Sequence, residues 1–338
     1  MKIPVTLAAL CLGPVPVFAA GVETEAEIAI GYDDNVHHLD GEKQQKLEAR
    51  DPRFASMPSV DDVLLDGTIR VKNVFPGLGG RRASAGIEAG GTLFTRNVRR
   101  SEPRVEASLH QRTWKGGEVW LDAQFVPDRF RKNYLADLSG RWKPAMRRDY
   151  QLESGVASTL GGAFSAKVHT AGKREEYAAP FANRTGNSLE AGASLTFSPA
   201  GRTTFSVGWE GQRAWSARGS EVVRRSGDEV LAPSVDRSFI SHEIRPVARI
   251  GLAPRIELVA GSRYRVRSYL SRDALDPYAG RVDTLSGLDG EARVRLAHDW
   301  RLIAGASWLG SRTTRPNDGG ASDEPDWASR SLVVGITT

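Results

Sequence analysis

The chain has 338 residues, and its 46 Lys and Arg against 41 Asp and Glu leave a formal net charge of +5. With 40% hydrophobic residues, 26% charged residues and a mean hydropathy of -0.36, a bundle of membrane helices is excluded. A soluble β-protein remains, as does a membrane barrel whose lipid face uses only every second residue. Acids and bases interleave along the whole chain, so the basic balance does not point to a nucleic-acid partner.

The chain opens "MKIPVTLAALCLGPVPVFAAGVETEAE": Lys2, an apolar run, then Val17-Phe18-Ala19 with small residues suited to cleavage. Residues 1–19 are read as a signal peptide and 20–338 as one outer-membrane domain. The single cysteine, Cys11, lies inside the leader behind Leu10, so neither a lipid anchor nor a disulfide is expected.

Beyond it the chain alternates with period two. Fourteen strands are expected at about 22–35, 60–74, 82–97, 103–114, 118–131, 146–157, 163–176, 187–198, 202–216, 237–252, 256–269, 283–297, 301–313 and 327–338. "ELVAGSRYRVRSYL" at 257–270 is representative: Leu258, Ala260, Tyr264 and Val266 fall on one face, Glu257, Arg263, Arg265 and Arg267 on the other. A β-sandwich buries the first face; a transmembrane barrel turns it to lipid and lines its interior with the second.

The connections separate these folds. From the second link onward, short turns such as "KGG" at 115–117 and "APR" at 253–255 alternate with long polar links such as 36–59, 217–236 and 314–326, the short 98–102 being the exception. That phase fits an up-and-down barrel with both termini in the periplasm, and a Greek-key sandwich has no reason to keep it. The fold class is therefore all-β: an up-and-down antiparallel transmembrane β-barrel of fourteen strands. Phe75, Phe197 and Phe205 beside short turns, with Tyr32 and Trp308 nearer the long loops, match two interfacial girdles.

"GYDDNVHH" at 31–38 closes the first strand, and "GYDDNV" resembles the opening strand of Gram-negative outer-membrane β-barrel proteins, including the barrel region of surface lipoprotein assembly modifiers. "FVPDRFRKNY" at 125–134 and "REEYAAPFANR" at 174–184 are similar to segments of the same barrels. The resemblance implies a barrel in the outer membrane, with lipid, lipopolysaccharide and the barrel-insertion machinery as partners. No helical-repeat domain precedes the barrel, unlike the assembly modifiers. Leu332, Val334 and Ile336 alternate as in a terminal insertion strand, while Thr338 stands where those barrels carry an aromatic residue.

The face opposite the apolar one then lines the lumen. Its final third is rich in cations, Arg245, Arg249, Arg263, Arg265, Arg267, Arg293 and Arg295, accompanied by Glu243, Glu257, Asp289 and Glu291. Acids predominate earlier, among them Glu25, Glu27, Glu88, Glu106, Asp122, Asp149, Glu153, Glu190 and Glu210. Two arrangements fit: opposed charges bridged across a narrow lumen, or a water-filled pore whose arginine ladder draws anionic solutes or glycans. The expected function is a porin-like channel; the alternative is an accessory barrel of an exopolysaccharide export or surface lipoprotein assembly system, with an export complex as partner.

No enzyme is expected, and no cofactor or metal. The chain has no G-x-S-x-G elbow, no H-E-x-x-H and no phosphate-cradling loop. His37 and His38 are read as solvated loop residues, and His110 and His169 as members of lumen networks.

Overall fold

The computed structural model describes residues 21–135, 142–199, 202–217, 219–225, 228–273, 276, 278–296, 300–314 and 326–337. The signal-peptide reading of 1–19, Cys11, His298 and Thr338 lie outside the described residues. Fourteen antiparallel strands form a closed barrel: β1 (Val22–Asp33), β2 (Asp62–Pro76), β3 (Arg82–Phe94), β4 (Glu102–Trp114), β5 (Gly117–Leu135), β6 (Trp142–Gly161), β7 (Phe164–Tyr177), β8 (Gly186–Phe197), β9 (Thr203–Ser216), β12 (Phe239–Ala253), β13 (Ile256–Tyr269), β14 (Val282–Arg295), β15 (Arg301–Thr314) and β16 (Trp327–Thr337). A separate hairpin, β10 (Gly219–Arg225) with β11 (Asp228–Val235), stands in the link from β9 to β12. No helix among the described residues is long and apolar enough to cross a membrane.

β1 pairs with β16 from Glu27 opposite Thr337 to Asp33 opposite Ser331, which closes the sheet and removes both edges. Small residues let the strands meet there: a Cβ on Gly335 would stand 2.7 Å from the Cβ of Ala29. In the two-residue turns, Gly116 (φ 78°) and Gly162 (φ 55°) adopt the left-handed conformation that side chains resist.

Period-two alternation sorts the barrel into two faces. Ile28, Ile69, Ile87, Val168 and Leu332, each 58–61% exposed, stand on the outer wall. Their neighbours turn inward, where Glu88, Trp120, Asp149 and Glu243 are buried. Phe164, Phe197, Phe205 and Trp300 lie exposed by the short turns, and Tyr32, Tyr150 and Trp215 toward the long loops. An apolar outer wall flanked by aromatics around a charged interior, on a sheet with no free edge, is an outer-membrane β-barrel.

The long-loop rim carries structure that the alternation does not announce. Residues 34–61, which include the link expected as a loop at 36–59, contain helix α1 (Gly41–Glu48), whose N-cap Asp40 accepts a 2.8 Å hydrogen bond from the Lys43 amide. Leu39, Leu47 and Met57 of this loop form an apolar cluster with Phe130 of β5, against which Met146 of β6 also packs. β5 and β6 consequently run on to Leu135 and from Trp142, past the expected ends at 131 and 146. Two register shifts, between Val126 and Arg129 and between Phe130 and Asn133, re-aim this extension.

A cation on the outer wall separates a lipid-facing from a solvated surface. Ile28→Arg is expected to cost about 2–4 kcal/mol if that residue lies near the bilayer midplane. Denaturant titration of the barrel in lipid vesicles measures this, with the inward-facing Gln124→Arg, beside Glu106, as the near-neutral comparison.

Candidate functional site: the charged lumen

The lumen arises from strand parity. On β13, Leu258 and Tyr264 are exposed on the outer wall, so Glu257, Arg263, Arg265 and Arg267 project inward. Strand pairing places Arg265 between Glu243 of β12 and Leu285 of β14, and Arg267 between Ser241 and Asp283. Arg245 and Arg249 of β12 and Asp289, Glu291, Arg293 and Arg295 of β14 share the inward face.

These ten residues divide by their partners. Arg293 bridges Glu257 at 3.6 Å and also pairs with Glu291. Arg245 holds Glu243 at 2.7 Å, and Arg265 approaches the same carboxylate at 4.0 Å. Asp289 lies across Gly261, where a Cβ would stand 2.5 Å from its Oδ2. Arg249, Arg263, Arg267 and Arg295 have no carboxylate within 4.0 Å among the described residues. Arg267 instead lies over the Phe239 ring, 4.1 Å from its centroid, with its Nε buried and without a hydrogen-bond partner.

The rest of the wall was expected to lean acidic, and arginines that the composition of single strands did not single out pair with some of its carboxylates, Glu25, Glu88 and Asp149 among them. Arg70 of β2 pairs with Glu88 of β3 and, at 3.1 Å, with Glu25 of β1; Arg104 of β4 reaches Glu88 at 3.4 Å. Arg129 of β5 joins Glu102 at 2.7 Å and Asp149 at 2.9 Å, and Arg147 of β6 joins Asp149 and Glu175. His110 sits between Glu118, 2.9 Å from its Nδ1, and Asp122, 3.4 Å from its Nε2. Among the described residues, the barrel's ion pairs join one strand, adjacent strands or, for Arg82 and Glu23, strands one apart; none crosses the lumen.

At the rim, loop packing replaces the expected solvation of the paired histidines. His37 Nε2 lies 2.7 Å from Asn97 Oδ1, and His38, held at φ 54°, packs edge-on against Trp327 with ring centroids 4.1 Å apart. Burial lowers the pKa of His37 to about 4 and that of His38 to about 3, with the Arg100 guanidinium pushing both the same way. Asp62 ties the neighbouring loop down, accepting from the amides of Thr95, Arg96 and Asn97. Beyond the basic wall, Arg281 is 2% exposed, bound to Asp283 at 2.7 Å and set over the Tyr269 and Tyr278 rings.

No family model matches the chain, and no curated protein matches it. Among solved structures, an anion-selective porin from Comamonas acidovorans shares 12% identity at a TM-score of 0.45, the match covering 94% of this chain and 98% of that one. The outer-membrane protein opdK from Pseudomonas aeruginosa shares 11% at 0.45, over 94% and 99%. A bacterial polysaccharide outer membrane secretin shares 11% at 0.43, over 92% and 97%. The outer-membrane architecture of this chain rests on its own strand closure and apolar outer wall.

The paired histidines predict a pH dependence at the rim. The closed loop holds them neutral, whereas a released loop protonates them near the ordinary value of 6.5. Packing of 34–61 is therefore at full strength above that value and weakens as pH falls toward about 4 and then 3. Amide protection factors across 34–61, referred to the intrinsic exchange rate at each pH, are expected to fall over that interval, and His37→Gln with His38→Gln to flatten the response.

Proposed function

We propose that the barrel is a porin-like channel for polar, anionic solutes or glycans, with Arg249, Arg263, Arg267 and Arg295 as the attracting charges. The observation that carries this reading is the direction of the ion pairs. Charges neutralise one another along the wall and not across it, which is the arrangement that leaves a central path for water. Fourteen strands enclose a lumen between filled eight-stranded barrels and open sixteen-stranded porins, so wall side chains govern passage. Fixed guanidiniums without a carboxylate partner raise the local concentration of anions and speed their entry.

The reading is of a passage and not of a catalyst. Its surroundings are proposed to be lipid, lipopolysaccharide and the insertion machinery that folds such barrels. Outward-facing Arg148 and Arg213 near the long-loop ends of β6 and β9 offer cations where lipid phosphates lie.

Single-channel conductance in a planar bilayer under a salt gradient tests the reading. Steady, anion-preferring openings are expected, and neutral Gln at positions 249, 263, 267 and 295 is expected to bring the preference close to unity. A correctly inserted, heat-modifiable barrel that conducts nothing would overturn the channel and favour the accessory role in exopolysaccharide export or lipoprotein assembly.

A further inference from the structure

Three inward-facing side chains on adjacent strands converge where none is called for by the ion-pair pattern. The register places His169 of β7 opposite Gly192 of β8, and Gly192 opposite Glu210 of β9. Glu190, two residues before the glycine, faces Ala171 and Gln212. One ligand atom from each of His169, Glu190 and Glu210 lies within 4.8 Å of the other two.

The surroundings of this cluster point to a ligand. A Cβ on Gly192 would stand 2.2 Å from Cε1 and 2.6 Å from Nε2 of His169, so only glycine lets the imidazole lie across β8 toward Glu210. The His169 Nδ1 is shut off from solvent and without a hydrogen-bond partner among the described residues. The charges around the cluster are already committed: Glu153 to Lys167 at 3.5 Å, Glu175 to Lys173 at 3.2 Å and Glu243 to Arg245 at 2.7 Å. Among the described residues neither Glu190 nor Glu210 has a Lys or Arg within 4.0 Å. Two carboxylates this close repel unless a proton or a cation stands between them.

We propose that His169, Glu190 and Glu210 form a divalent transition-metal site on the lumen wall, with zinc as the ion that one imidazole and two carboxylates suit best. The ligand set decides the class. An imidazole nitrogen favours zinc and its neighbours in the first transition row, whereas calcium and magnesium prefer oxygen alone. The amide of Gln212, 3.4 Å from Glu190 Oε2 and 3.1 Å from Ser188 Oγ, is placed to orient that carboxylate by donating to it. The site makes no use of the arginines of β12–β14, so it stands or falls separately from the channel.

Isothermal titration of zinc chloride into untagged barrel, extracted from outer membranes in detergent and stripped with chelator, provides the test. One zinc per barrel is expected, with calcium failing to compete. Glu190→Gln and His169→Ala are each expected to weaken binding at least about tenfold while leaving the heat-modifiable gel shift intact. Gly192→Ala removes no ligand but intrudes on the imidazole, and is expected to weaken binding too. Absence of zinc binding by the wild-type barrel, or its survival in His169→Ala, would overturn the site. Should a variant fail to fold, zinc-edge X-ray absorption of the wild type decides: one imidazole among oxygen ligands supports the proposal, and a shell without imidazole overturns it.

Discussion

Everything in this barrel follows from the rule that a backbone crossing lipid must satisfy its own hydrogen bonds. The chain meets it by pairing β1 with β16, so that no strand keeps a free edge. Closure then dictates that each strand has one lipid face and one lumen face, and that a single-residue slip would exchange them. Ala29, Gly31 and Gly335 at the seam are small because the strands there approach one another closely.

The same geometry decides where charges find partners. Neighbouring strands lie about 4.8 Å apart, within reach of a long side chain, while the opposite wall of a fourteen-stranded barrel is far beyond it. Arg70, Arg129 and Arg147 accordingly bridge carboxylates beside them. On β12 to β14 the acids run short: Glu243 serves Arg245 and Arg265, Glu257 and Glu291 serve Arg293, and Arg249, Arg263, Arg267 and Arg295 are left facing the lumen. A surplus of guanidiniums on one arc and an unmatched pair of carboxylates, Glu190 and Glu210, on another give the wall an uneven electrostatic lining.

All fourteen barrel strands were legible from period-two alternation, because lipid and water impose opposite demands on successive residues. Arg263, Arg265 and Arg267 were assigned to the lumen face for the same reason. What lay outside the bilayer was not legible. Helix α1 is short and owes its burial to Leu47 meeting Phe130, a partner far along the chain. The β10–β11 hairpin hides in a polar link whose Val222, Val223, Val230 and Leu231 flank a Ser-Gly turn signal. His37 and His38 read as solvated because nothing local reveals Asn97 or Trp327 beside them. His169, Glu190 and Glu210 were each assignable to the lumen, but their convergence needs the exact register of β7, β8 and β9, which alternation alone leaves open by two residues.

The central claim is that the face bearing the arginines meets water and the face bearing the aliphatics meets lipid. The single cysteine of the sequence lies at position 11, so one introduced thiol reports cleanly once Cys11 is replaced. Labelling of Arg263→Cys and Tyr264→Cys in intact outer membranes, with a small anionic thiol reagent, compares adjacent residues on opposite faces. The account predicts rapid modification at 263 and almost none at 264. Equal protection of both, or preferential labelling at 264, would contradict it.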